Sequence, residues 1–182
     1  MPEGNEFYIC VDVETAGPNP ADFALLSIGA CTVFEPEQTF YIELKPTSNR
    51  FSKEALEVNG LSLKELKVSG IPAKDAMRQF DDWLQRVLPE NGMPVFVAFN
   101  APFDWMFINS YFHRYLGSNP FGHSALDIKA YYMGKTGLAW SETSMRHVST
   151  KLLKEKHLTH NALHDAQDQA EIFYLLMKPD RS

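Results

Sequence analysis

Residues 7–14 read Phe-Tyr-Ile-Cys-Val-Asp-Val-Glu, an apolar run that closes on two acids. β-Branched and aromatic residues at this density make a strand. Side chains alternate between the faces of a strand. Phe7, Ile9, Val11 and Val13 therefore share one side, and Tyr8, Cys10, Asp12 and Glu14 the other. Asp12 and Glu14 face each other at the end of a hydrophobic strand. Like charges that close repel unless one takes a proton or a cation lies between them. A strand end emerging into water, with both acids hydrated, is the alternative that this run alone leaves open.

The rest of the chain supplies partners for that strand. Residues 25–34 and 39–44 read as further strands, with Glu35-Pro36-Glu37 as the turn of a hairpin. Pro18, Pro20 and Asp22 mark the loop before them. Ser52 starts a short helix over 52–58 that stops at Gly60. Residues 72–88 place Ala73, Ala76, Met77, Phe80, Trp83, Leu84 and Val87 on one helical face. Then come a short buried strand over 93–99, an aromatic-rich helix over 101–116 and a short strand over 125–128. Helices over 143–155 and 162–177 complete the chain, and 117–124 and 134–141 read as loops. Strands first, then helices alternating with strands, predict an α/β fold with a mixed central sheet flanked by helices on both faces. The chain has 182 residues, 45% of them hydrophobic, with no repeat and no long linker, so the expectation is a single domain over 1–182.

Composition removes several functions. No apolar run approaches the ~20 residues that cross a bilayer, so no membrane partner is expected. The opening residues, Met1 to Glu6, carry neither a basic patch nor an apolar core, and Cys10 and Cys31 lie at no metal-binding spacing. Both features point to a reduced, cytoplasmic protein. Seventeen basic against 23 acidic residues give a net charge of −6, whereas a protein that coats duplex DNA is normally basic. This balance suits three cases: no nucleic-acid partner, a short nucleic-acid substrate, or a site where acids hold cations that in turn hold phosphate.

Two further segments favour the third case. In Asn100-Ala101-Pro102-Phe103-Asp104, Asn100 suits an N-cap and Pro102 the first helical turn. Asp104 then lies where a helix dipole favours negative charge. Its flanks, Phe103 and residues 105–107, are apolar, and an acid in such a run needs a partner. In His160-Asn161-Ala162-Leu163-His164-Asp165, His160 and Asp165 would lie about 140° apart on one continuous helix. With Asn161 as the cap, His160 falls in the preceding loop and can fold back, while Asp165 projects from the first turns. His164 should point elsewhere, Asp168 and Glu171 belong to a hydrated face, and Asp127 is a structural residue or one that supports the ligands, rather than a ligand itself. Oxygen ligands without cysteine point to Mg²⁺ or Mn²⁺ rather than zinc. Two such ions ~4 Å apart can hold the attacking and leaving oxygens of a phosphodiester. A histidine can take the proton of the attacking water.

These motifs resemble those of the DnaQ-like 3′–5′ exonucleases, the DEDD superfamily. Asp12-Val13-Glu14-Thr15 resembles the first motif, Asn100-x-x-Phe103-Asp104 the second, and His160-x-Ala162-x-x-Asp165 the third in its histidine-bearing (DEDDh) form. Glu54-Ala55-Leu56, Asn59-Gly60-Leu61 and Asn119-Pro120-Phe121 resemble ribonuclease T and the polymerase proofreading subunit in particular. The family often has histidine before the second motif, where this chain has Phe99. The resemblance implies a ribonuclease H-like fold. It implies that Asp12, Glu14, Asp104 and Asp165 bind two divalent cations, with His160 as general base. It also implies that Thr15 and Ala16 contact the terminal nucleotide partly through backbone, that Leu61 wedges beside the last base, and that Asn100 and Phe103 border the substrate, Phe103 by stacking. The expected reaction is hydrolysis at the 3′ end of single-stranded DNA or RNA, releasing 5′-mononucleotides. A homodimer, or a polymerase or other protein partner, would fit relatives of this kind.

Aromatic residues form 13% of the chain, and bases stack on aromatic faces at roughly 1–3 kcal/mol each. Helical spacing assigns most of Phe107, Tyr111, Phe112, Tyr115, Phe173 and Tyr174 to the core. Phe103, Phe121, Trp140 and Tyr131 or Tyr132 lie near loops where a base can reach them, with Lys129, Lys135 and Arg146 as candidates for phosphates. Two other functions remain open at this level: a catalytically silent nucleic-acid-binding module on the same fold, and a phosphoesterase for small nucleotides or dinucleotides.

Overall fold

A computed structural model describes residues 4–153 and 160–178. The apolar opening run becomes β1 (Glu6–Thr15), the middle strand of a five-stranded sheet of order β3-β2-β1-β4-β5. β2 (Leu25–Thr32) and β3 (Thr39–Glu43) follow as antiparallel neighbours, and β4 (Met93–Ala98) and β5 (Ala125–Asp127) add in parallel on the other side. The mixed sheet matches the expectation.

Period-two alternation on β1 divides the core. Ile9, Val11 and Val13 pack with α3 (Ala73–Val87) and α4 (Pro102–Leu116) on one face. Tyr8 and Cys10 pack with α5 (Ile128–Thr136), α6 (Met145–Leu152) and α7 (Ala162–Met177) on the other. A smaller cluster of Ala16, Ala24, Leu26 and Leu66 seats α1 (Lys53–Asn59) and α2 (Leu63–Ser69) beside the end of β1. Phe80 anchors the first face, its ring 5.1 Å from that of Phe40 and 5.6 Å from that of Phe112. Truncating such a buried ring costs about 3–5 kcal/mol. No described helix is long and apolar enough to cross a membrane.

Several local expectations are corrected. α2 and α5 lie where no helix was predicted, and α5 runs into the predicted loop at 134–141. α6 starts later than expected, because Ser144 caps it, accepting the N–H of His147; residues 154–155 of the predicted helix lie outside the described residues. Asn100 is not a side-chain cap. It adopts a left-handed φ of 62° and turns the chain from β4 into α4, whose N-cap is Ala101. Phe121 and Tyr132 are core residues rather than loop aromatics, and Tyr174, expected in the core, is exposed.

Two features of the sheet position the site. The parallel pairing of β1 with β4 stops at Cys10 opposite Val97, so β1 runs on without a strand on that side. On its other side β1 stays paired to β2, with Asp12 opposite Gly29 and Glu14 opposite Ser27, and the register then slips between Glu14 and Thr15. An irregularity of this kind bends a strand and re-aims its side chains, and such features concentrate at sheet ends near active sites.

Candidate active site

The open edge of β1 is filled from α4. Oδ1 of Asp104 accepts the N–H of Val13 at 3.1 Å, which ties the second motif to the first. Asp104 is 4% exposed. Asp127 secures the same corner from behind: its Oδ1 accepts the N–H of Asn100 at 3.1 Å and the N–H of Lys129 at 2.9 Å, capping α5. That is the structural role expected of it.

α7 supplies the third motif. Oδ1 of Asn161 accepts the N–H groups of Leu163 and His164, so the helix starts after His160, as the cap argument requires. His160 takes a left-handed φ of 53° in the preceding loop. This turn brings it back to the acids: ligand atoms of Glu14, His160 and Asp165 lie within 4.8 Å of one another. Asp165 is 4% exposed, His160 is exposed, and His164 points to solvent.

The N-terminus of α7 reaches β1 by crossing β2 at Gly29. A Cβ on Gly29 would lie 2.1 Å from the carbonyl carbon of Ala162 and 2.2 Å from the nitrogen of Leu163. No larger residue permits this approach. Gly29 is the register partner of Asp12, so the contact lays the first turns of α7 over the acids.

The charges show what this convergence does. Burial first, then Asp104, Glu14 and Asp165, hold the Asp12 carboxyl well above the usual carboxylate range, against the pull of a hydrogen bond from Gln169. Burial pushes Asp104 up to about 8, opposed by the N–H of Val13. Burial and Asp165 raise Glu14 to about 7, opposed by the Asn59 amide. Buried carboxylates in mutual repulsion prefer protons or cations over bare charge. Hard oxygen donors with one imidazole at the rim suit a divalent cation.

The sequence model of the family described as exonuclease matches residues 9–173. This chain belongs to that exonuclease family. The exonuclease is 49% identical to the 3′–5′ DNA exonuclease Cap18 of Escherichia coli, over 98% of this chain and 95% of the relative. It is 30% identical to ribonuclease T of Vibrio parahaemolyticus, over 92% of this chain and 83% of that protein. Among solved structures it superposes on the nuclease domain of 3′hExo, a DEDDh family member bound to rAMP, with a TM-score of 0.77 at 15% identity, covering 94% of this chain and 91% of that one. That likeness supports the ribonuclease H-like fold.

The remaining substrate candidates differ in burial and in their partners. Thr15 is buried, its hydroxyl donating to the carbonyl of Gly17 and its own carbonyl accepting the Asn59 amide at 3.0 Å. Ala16 is buried, with its N–H bonded to the carbonyl of Ala24 and its carbonyl accepting the N–H of Ser52. Leu61 is half-buried against the small cluster, and its N–H donates to Oδ1 of Asn59. Phe103 is half-buried, its ring 5.5 Å from that of Phe107. Asn100 is exposed at its corner. Of the loop aromatics, Trp140 is 49% exposed and carries Lys129 over its ring at 3.9 Å. Lys135 donates to the carbonyl of Lys178.

Three residues that shape the site escaped the sequence argument: Gly29, Asn59 and Gln169. Only Asn59 lay within a stretch quoted for its resemblance, and each does its work at the site on a distant segment.

Proposed function

We propose that this exonuclease removes 5′-mononucleotides from the 3′ end of single-stranded nucleic acid, with DNA as its first substrate, and that residues 1–182 form one catalytic domain. The observation that carries the reading is the convergence of Asp12, Glu14, Asp104 and Asp165, with His160 beside Glu14 and Asp165. The preference for DNA rests on the 49% identity to a DNA exonuclease.

In this reading the four carboxylates would hold two divalent ions, Mg²⁺ or Mn²⁺. When bound, the ions supply positive charge for the scissile phosphate and lower the pKa of a water. Asp104 keeps its carboxylate in place through the N–H of Val13, and Asp165 presents its own from the start of α7. His160, at the exposed rim, accepts the proton of the attacking water and passes it to solvent. The P–O bond to the leaving 3′-oxygen breaks, and that oxygen takes up a proton from solvent. Leu61 borders the last base, Phe103 stacks beside it, and Thr15, Ala16 and Asn100 frame the terminal nucleotide. The rise in carboxyl pKa supports the cation requirement, since a cation replaces the protons the acids would otherwise keep.

The test is digestion of 3′- and 5′-labelled ssDNA, ssRNA and a dinucleotide, with Mg²⁺, Mn²⁺ or EDTA. Stepwise loss from the 3′ end with either cation, fastest on ssDNA, is expected. Undiminished digestion in EDTA, or cleavage of the dinucleotide alone, would overturn it. The His160→Ala variant should lose activity while folding normally, and parental turnover by it removes the assigned base.

A further inference from the structure

Gln169 lies one helical turn beyond Asp165 on α7 and is 3% exposed. Its side-chain amide bridges β1 and the residue that follows β4. Nε2 donates to Oδ1 of Asp12 at 2.7 Å, and Oε1 accepts the N–H of Phe99 at 2.7 Å. A third, longer contact comes from the thiol of Cys10, which reaches Oε1 at 3.9 Å.

The direction of this bridge is dictated by chemistry. β4 ends at Ala98, so the N–H of Phe99 lies past its last strand residue. That N–H can only donate, so the amide oxygen must face it, and the NH₂ group is thereby turned towards Asp12. A backbone group thus sets the orientation of an amide that sets the orientation of a carboxylate. The donor on Oδ1 holds the rotation of the Asp12 carboxylate and leaves the remaining oxygen sites for a cation. Partners of this kind fix the rotation of a ligand and raise its affinity for metal.

We propose that Gln169 is a positioning residue that holds the Asp12 carboxylate ready for a divalent cation and couples it to the end of β4. The inference rests on the reading of the acids as a cation site. It is tested on the whole protein by calorimetric titration with Mn²⁺ and by single-strand digestion. Gln169→Met keeps the volume and removes both hydrogen bonds. Gln169→Leu serves if the methionine variant does not fold. Mn²⁺ affinity should fall about 10–100-fold with kcat, while KM for the oligonucleotide stays near the parental value; a merely structural defect would move KM as well. In an Asp12→Asn background, adding Gln169→Met should leave Mn²⁺ affinity unchanged. Parental Mn²⁺ affinity in the single variant, or a further loss in the Asp12→Asn background, overturns the role of Gln169 and leaves the cation site standing. A parent that binds no Mn²⁺ overturns both.

Discussion

The carboxylate of Asp104 accepts the N–H of Val13, the residue between Asp12 and Glu14, at 3.1 Å. One helix residue therefore closes the strand edge that β4 leaves open and completes the acid cluster. Asp104→Asn separates the two tasks, because an amide oxygen can still accept that N–H. The variant should keep its melting temperature within a few degrees and lose more than about 100-fold in kcat, measured by calorimetry and oligonucleotide digestion. Retained activity would show that the charge of Asp104 is dispensable.

The raised carboxyls make stability depend on pH. Their folded values, about 7 for Glu14 and about 8 for Asp104, exceed the ordinary 4.5 and 3.8. The folded state therefore binds more protons than the unfolded chain between those limits. The associated stabilisation is complete at low pH and disappears as pH rises through about 7 and 8. In EDTA the melting temperature should fall from pH 5.5 to pH 8.5, and millimolar Mn²⁺ should restore it at the upper end. A double variant, Glu14→Gln with Asp104→Asn, should flatten the profile. An equally steep profile in that variant would assign the dependence to other groups.

Gly29 is where the third motif meets the first. Gly29→Ala places a methyl 2.1 Å from the backbone of Ala162, so α7 must move. Overpacking of this kind costs about 1–3 kcal/mol, and misplacement of a catalytic group by ~1 Å can cost 100-fold in rate. A folded variant with a lowered melting temperature and at least tenfold lower kcat is expected. Parental kcat would mean that the acids tolerate displacement of the helix.

Asn59 tests the other wall. Its amide donates to the carbonyl of Thr15, and its Oδ1 accepts the N–H of Leu61, so it fastens the turn after α1 to the end of β1. Asn59→Ala leaves a buried carbonyl unpaired, at about 1–3 kcal/mol. KM for a single strand should rise several-fold if Leu61 borders the terminal base, and unchanged KM would detach Leu61 from the substrate.

The parts legible in the sequence are those encoded locally. Alternation along 7–14 assigned the two faces of β1 correctly, and the Asn161 cap correctly released His160 from its helix. α2 was missed because it is seven residues long with only Leu66 buried, while Val68 is 89% exposed, so no apolar period exists to be read. Ser62, which accepts the N–H of Glu65, was the available signal. α5 was missed because it is nine residues long with only Ile128 and Tyr132 buried, although Asp127 caps the helix and Gly137 ends it in a left-handed conformation. Gly29 and Gln169 were out of reach for a different reason. Their importance exists only once residues 12, 29, 99, 162 and 169 are brought together by tertiary packing.

β1 is hydrogen-bonded to β2 along the stretch that carries Asp12 and Glu14, and buried between two helical layers. Local fraying of a terminus or loop cannot dislodge residues in such a place; they are released only by openings as costly as global unfolding. His160 belongs to the periphery, on an exposed loop. Amide exchange should therefore be slowest beneath the acids and fast at the histidine, so partial denaturation would release His160 long before the carboxylate floor gave way.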